Sequence, residues 1–199
     1  MTAMKSICVY CGASYPEDPK LKSAIERLAQ TFSDHQIHLV YGGGSIGVMG
    51  AIANEVLARG GTVTGVIPQF LLDREVGHFE LTELIITNNM HERKQKMADL
   101  SDGFIVLPGG YGTMEEFFEV LTWLQLELHQ KPIGVLNVDG FYDYLFAQLD
   151  VMVDRKFLSA HNRSLVINES EPRELVQKMM RRAAQPDDEE TWAEDRDLS

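Results

Sequence analysis

Seven short apolar runs, rich in β-branched residues, alternate along this chain with amphipathic stretches of helical spacing, and that alternation leaves few folds open. The runs are Ile7 to Tyr10, Ile37 to Tyr41, Thr62 to Ile67, Leu81 to Ile86, Phe104 to Leu107, Ile133 to Asn137 and Leu165 to Ile167. The stretches 19–33, 48–59, 90–101, 115–128, 141–154 and 172–183 set apolar residues three and four apart, as one buried helix face requires. Strands separated by helices pair in parallel through right-handed crossovers, and the helices then cover both faces of the sheet. The pattern predicts a doubly wound, Rossmann-like α/β fold with a parallel sheet of about seven strands. Ligands of such sheets sit at the carboxyl ends of the strands. Residues 11–14, 42–47, 68–75 and 108–113 are therefore expected around one crevice.

At 199 residues and 44% hydrophobic content, the chain can bury one substantial core, so residues 1–184 are read as a single nucleotide-binding domain. Residues 185–199 carry seven acids against Arg196, half of the formal net charge of −12, and read as an acidic, disordered tail. An acidic chain is a poor partner for nucleic acid. No apolar run approaches the ~20 residues of a membrane span and no signal-peptide pattern opens the sequence. A cytoplasmic protein is expected. Cys8 and Cys11 have C-x-x-C spacing, yet they lie on and just after a strand, where positions three apart face opposite sides. Two buried thiols are expected rather than a redox pair. The six histidines show no ligand spacing, and His91-Glu92 lacks a second histidine at Gln95, so no metal is expected.

Two glycine turns join strands to helices. In Gly42-Gly43-Gly44-Ser45-Ile46-Gly47, glycines 42, 44 and 47 satisfy G-x-G-x-x-G. The acid that would grip a dinucleotide ribose about 20 residues later is replaced by Ile67-Pro68-Gln69, which favours a mononucleotide. The second turn is Pro108-Gly109-Gly110-Tyr111-Gly112-Thr113. Such turns aim backbone N–H groups and a helix dipole at phosphate. Gly42, Gly43, Gly44, Gly47 and Gly109 are thus phosphate-loop candidates. A tight turn with close helix packing and no ligand is the other reading of the 42–47 loop.

Arg93 falls on the buried face of its helix, about 40° from Met97 and about 20° from Leu100 at ~100° per residue. A charge there needs an anion, either a structural carboxylate or a bound phosphate or reacting group. Lys94 sits at the margin of that face. Thr113-x-x-Glu116 has the spacing of a capping box. Glu116 either serves the helix in that way or faces a part of the ligand other than phosphate, and Glu115 is expected toward solvent or the neighbouring strand.

With these residues assembled, Cys11-Gly12-Ala13-Ser14, Tyr41-Gly42-Gly43-Gly44, Met90-His91-Glu92-Arg93-Lys94 and Pro108 to Glu116 resemble the LOG family, the cytokinin riboside 5′-monophosphate phosphoribohydrolases. The likeness spans about residues 5–180 and includes Lys131-Pro132-Ile133-Gly134 and Asn137 to Tyr142. It implies hydrolysis of the N-glycosidic bond of an N6-modified AMP, or of AMP itself, to free base and ribose 5-phosphate by a homodimer with no cofactor. By the same resemblance, Arg93 and Glu116 match the catalytic pair, Gly110, Tyr111, Gly112 and Thr113 match the phosphate turn, and Glu75, Lys94 and Thr122 match further substrate contacts. The alternative is a nucleotide sensor or carrier that does not cleave. Decarboxylase chemistry, a label the family has also carried, needs a Schiff-base lysine, and neither Lys94 nor Lys131 has that setting.

Overall fold

The computed structural model describes residues 4–74 and 77–185, so Glu75 and the acidic run from Pro186 lie outside it. Seven strands form one sheet: β1 (Ser6–Tyr10), β2 (His38–Tyr41), β3 (Val63–Pro68), β4 (Glu83–Thr87), β5 (Gly103–Val106), β6 (Ile133–Leu136) and β7 (Val166–Glu169). Their order is β4-β3-β2-β1-β5-β6-β7, with every neighbouring pair parallel. This is the doubly wound fold that the alternation predicts.

The pleat divides the core in two. Ile7 and Val9 of β1, with Cys11 just after it, join one apolar cluster, while Cys8 and Tyr10 join the other. The first cluster is closed by α1 (Pro19–His35), α2 (Gly47–Ala58) and α8 (Pro172–Ala184) through Leu28, Ile52 and Leu175. The second is closed by α4 (Met90–Asp99), α5 (Tyr111–Gln125) and α6 (Asp143–Asp154) through Met97, Phe117 and Phe146. The two cysteines are free buried thiols on opposite faces, and burial raises both above the ordinary thiol range. Neither suits redox work.

Local chemistry sets the helix ends. Asp18 accepts from the Lys20 N–H (2.8 Å) just before Pro19, and α1 stops at Gln36 in the left-handed region (φ 54°). Asn89 accepts from the Glu92 N–H (2.9 Å), and Glu92 reaches back to the Asn88 N–H (2.9 Å), so α4 starts with a reciprocal cap. Two short helices, α3 (Gln69–Leu72) and α7 (Ala160–Ser164), and a 3-10 turn at Val138–Gly140 are too brief to show a period in sequence.

The strand order reverses between β1 and β5. The chain leaves β1 toward one face and β5 toward the other, which opens a crevice at their carboxyl ends. There the two backbones touch: the Gly12 N–H donates to the Pro108 carbonyl (3.1 Å), and a methyl on Gly12 would lie 3.3 Å from Gly109 Cα.

Candidate active site

The crevice at this switch point has a volume of about 560 Å³, within the range of small-molecule sites. Its floor is Cys11 to Ser14 after β1 and Pro108, Gly109, Gly110, Gly112 and Thr113 after β5, with Arg93 and Glu116 in its wall. Apolar side chains complete it: Leu21, Val48, Met49, Leu71 and Phe141. Sequence reasoning did not select these five, because each satisfies an ordinary helix or loop pattern. Met90 and Phe79 do not line it; Phe79 is exposed and Met90 Sδ lies 3.8 Å from Arg93 Nη1.

The helix α5 begins at Tyr111, one turn before the expected start at Glu115, with Gly110 as its N-cap and no side-chain cap. The first amide to find a helical partner is that of Met114, which donates to the Gly110 carbonyl (3.1 Å). The N–H groups of Tyr111, Gly112 and Thr113 are the orphan donors of an uncapped helix start. This corrects the capping-box reading. Thr113 is inside the first turn, buried, with its hydroxyl filling the space beside Gly109, so Glu116 has no cap to reach back to. Glycine obscured the boundary: Gly112 sits within the helix, where propensity argues for a loop.

Glu116 instead turns one turn deeper into the crevice wall, 9% exposed, with Oε1 3.6 Å from Arg93 Nη1. That distance is an ion pair and not a hydrogen bond. Burial is the main influence on its acidity and pushes its pKa up to about 7; Arg93 and Lys94 oppose the rise, and Glu115 and Glu119 add to it. Near neutral pH the group is shared between acid and carboxylate, as a proton-transfer residue requires. Arg93, 8% exposed, donates from Nε to the Val66 carbonyl (3.0 Å) and from Nη2 to the Gly42 carbonyl (3.2 Å). Strand ends β3 and β2 thereby fix two nitrogens, and the third faces Glu116.

The glycine loop 42–47 behaves differently from expectation, since Gly42, Gly43, Gly44 and Gly47 all lie outside the crevice lining. The first amides of α2 are already spent: Val48 N–H donates to Ser14 (3.3 Å) and Met49 N–H to Gly12 (3.3 Å). Gly47 adopts φ 69°, and its Cβ would overlap the Ala13 backbone. Close packing accounts for Gly47 and for the Val48 and Met49 amides, which favours a tight turn over a phosphate loop here. Gly109, Gly110, Gly112 and Thr113 do line the crevice, whereas Tyr111 points outward, 97% exposed. Lys94 is buried at the side, bonding Glu115 (2.6 Å) and Glu119 (2.8 Å), so Glu115 faces this lysine and not open solvent alone. Thr122 is exposed on α5, its hydroxyl donating to the Phe118 carbonyl (2.7 Å), and is not part of the lining. Among the described residues, no cluster of ligating side chains could hold a metal ion.

Known proteins resemble this chain closely. The sequence model of a family described as possible lysine decarboxylases matches residues 49–179. The residues do not fit pyridoxal chemistry, because among the described residues no lysine lines the crevice, Lys94 is held by two carboxylates, and Lys131 Nζ donates to the Ala98 carbonyl (2.7 Å). The cytokinin riboside 5′-monophosphate phosphoribohydrolase LOG5 of Arabidopsis thaliana is 46% identical over 175 residues, 88% of this chain and 77% of that protein. The enzyme of the same name, LOG, from Oryza sativa subsp. japonica is 45% identical over 88% of this chain and 72% of its own length. A structural-genomics X-ray structure, 25% identical, superposes with a TM-score of 0.67 over 89% of this chain and 99% of that one. The molybdenum cofactor binding protein of Rippkaea orientalis, 22% identical, shares the fold with a TM-score of 0.64 over 90% and 99%. The chain, matching such relatives over nearly nine-tenths of its length, belongs to the LOG family of cytokinin riboside 5′-monophosphate phosphoribohydrolases.

Proposed function

We propose that this chain hydrolyses the N-glycosidic bond of a cytokinin riboside 5′-monophosphate, an N6-modified AMP, to free base and ribose 5-phosphate. The relatives' shared activity supports the reaction. One observation carries it for this chain: a buried carboxylate, Glu116, stands one helical turn beyond an uncapped helix start, opposite an anchored guanidinium. In this reading the 5′-phosphate accepts from the free amides of Tyr111, Gly112 and Thr113, which puts the ribose beside Glu116. Breaking the bond at C1′ develops positive charge on the sugar, and the carboxylate stabilises it. The same oxygen orients the incoming water and takes its proton, a general-base role worth about 10²–10⁴-fold. Arg93 offsets negative charge on the departing base.

A binder that does not cleave would need the amides and have no use for a carboxylate beside the sugar. The experiment is incubation with AMP and with isopentenyladenosine monophosphate, followed by detection of free base. Release of base by the wild type and not by Glu116→Gln supports cleavage at this site. Tight binding with no base released by the wild type establishes the carrier reading instead.

We also infer a cytoplasmic homodimer. No helix among the described residues is long and apolar enough to cross a membrane. Beyond the buried Phe117, Val120 and Leu124 of α5, Phe118, Leu126 and Leu128 on and after the same helix are exposed, more apolar surface than one sheet contact needs. Sizing with light scattering should give about twice the 22.4 kDa of one chain; a single-chain mass at micromolar concentration would contradict it.

A further inference from the structure

In the 42–47 loop, the space of the absent Gly42 side chain is taken by another residue's functional group. Its backbone is not in the left-handed region, so conformation does not demand glycine there. Space does. A Cβ built on Gly42 would overlap Arg93 Nη2, lie 3.3 Å from Arg93 Cζ, and come within 3.1 Å of Met49 Sδ. The guanidinium thus lies against the bare α-carbon, donating to the Gly42 carbonyl at 3.2 Å and the Val66 carbonyl at 3.0 Å, and from that berth Nη1 stands 3.6 Å from Glu116 Oε1.

We propose that Gly42 is a positioning residue: the void at its α-carbon seats the Arg93 guanidinium against two strand-end carbonyls and so aims it at Glu116. This rests on the reading of Arg93 and Glu116 as the reacting pair. The first glycine of a G-x-G-x-x-G run here holds a catalytic side chain in place of a phosphate. An added methyl must push the guanidinium off its two acceptors, because the opposing atoms on the β3 side are backbone and cannot give way.

The test is a double-mutant cycle between Gly42→Ala and Arg93→Ala, read by melting temperature, kcat and the pH-rate profile. Gly42→Ala should lower the melting temperature in the wild-type background and leave it nearly unchanged with Arg93→Ala, where the guanidinium is gone and only Met49 Sδ, on a flexible side chain 3.1 Å away, must give slightly. Should the single variant fail to fold, recovery of folding in the double variant supports the proposal. Its kcat should fall about 10²-fold, the cost of a displacement near 1 Å, with no further loss on adding Arg93→Ala. The acid limb of the profile should move to higher pH, since Arg93 is what holds Glu116 down. Gly134→Ala serves as the structural control: its methyl presses on Leu175 in the opposite layer, so it should lower the melting temperature and leave the limb in place.

Equal destabilisation in both backgrounds, or multiplicative losses in kcat, would overturn the proposal. If no variant releases base, the cleavage reading fails, and the carboxyl titration of Glu116 by ¹³C NMR still decides this one. A midpoint raised in Gly42→Ala supports the berth, and an unmoved midpoint refutes it.

Discussion

The two glycine turns look alike in sequence and are used in opposite ways. Both follow a strand, both open a helix, and both carry three or more glycines. At α2 the turn is closed: its leading amides donate to Gly12 and Ser14, Gly47 is wedged on Ala13, and Gly42 is filled by Arg93. At α5 the turn is open: no side chain caps it, and a methyl on Gly110 or Gly112 would meet nothing within 4 Å. A glycine explained by contacts inside the chain holds the fold together. One that is not leaves room for something outside it, and this crevice has the volume to admit a ligand.

The contrast yields graded expectations. The largest is Glu116→Gln, which keeps the shape and removes the charge: turnover should drop about 10²–10⁴-fold while folding persists. A drop in melting temperature with activity retained would show that Glu116 serves structure alone. Next comes Gly47→Ala, which incurs both a positive φ and an overlap with backbone; it should cost roughly 2–4 kcal/mol of stability by denaturant titration. By contrast, Gly110→Ala should melt like the wild type yet raise KM for the nucleotide about 10-fold or more, because its methyl would stand in the open space at the turn that the phosphate is to fill. Equal melting temperatures for the two alanine variants would erase the distinction between the turns.

The pH dependence follows with a definite sign. In the folded chain Glu116 keeps its proton up to about pH 7, against an ordinary value of 4.5. Between those values the folded state binds the extra proton, so this group's contribution to stability is greatest below 4.5, declines as pH rises, and is gone above about 7. The span amounts to ~3 kcal/mol. Activity runs the other way, rising as the carboxylate forms. Glu116→Gln should remove that slope from a plot of stability against pH, and an unchanged slope would refute the assignment. The smallest effect belongs to Lys94→Ala. It takes away a positive charge that lowers the Glu116 pKa and leaves Glu115 and Glu119 unpaired, so the acid limb of the rate profile should move upward; a downward move would contradict the account.

Sequence carried the sheet well because parallel strands buried on both faces are continuous apolar runs: all seven strands lie where those runs fall, within two residues at either end. It carried Arg93 as well, since helical geometry alone puts that position toward the core. What it did not carry depends on contacts between distant segments. Thr113-x-x-Glu116 has capping-box spacing, but the cap is a spatial fact fixed by where α5 starts, and a helical Gly112 hides that start. Likewise G-x-G-x-x-G describes a turn without saying whether its amides are already taken, here by carbonyls some 35 residues earlier in the chain. Lys94 and Thr122 match a family pattern, yet in this chain one is bound between two carboxylates and the other lies on an exposed helix face. Glu75 falls outside the described residues.

The most direct test of the open and closed turns is amide NMR of ¹⁵N-labelled protein titrated with ribose 5-phosphate, the expected phosphate-bearing product. The account predicts that the resonances of Tyr111, Gly112 and Thr113 move first and furthest while those of Val48 and Met49 stay near their free positions. Shifts concentrated at Val48 and Met49, with the start of α5 silent, would contradict it.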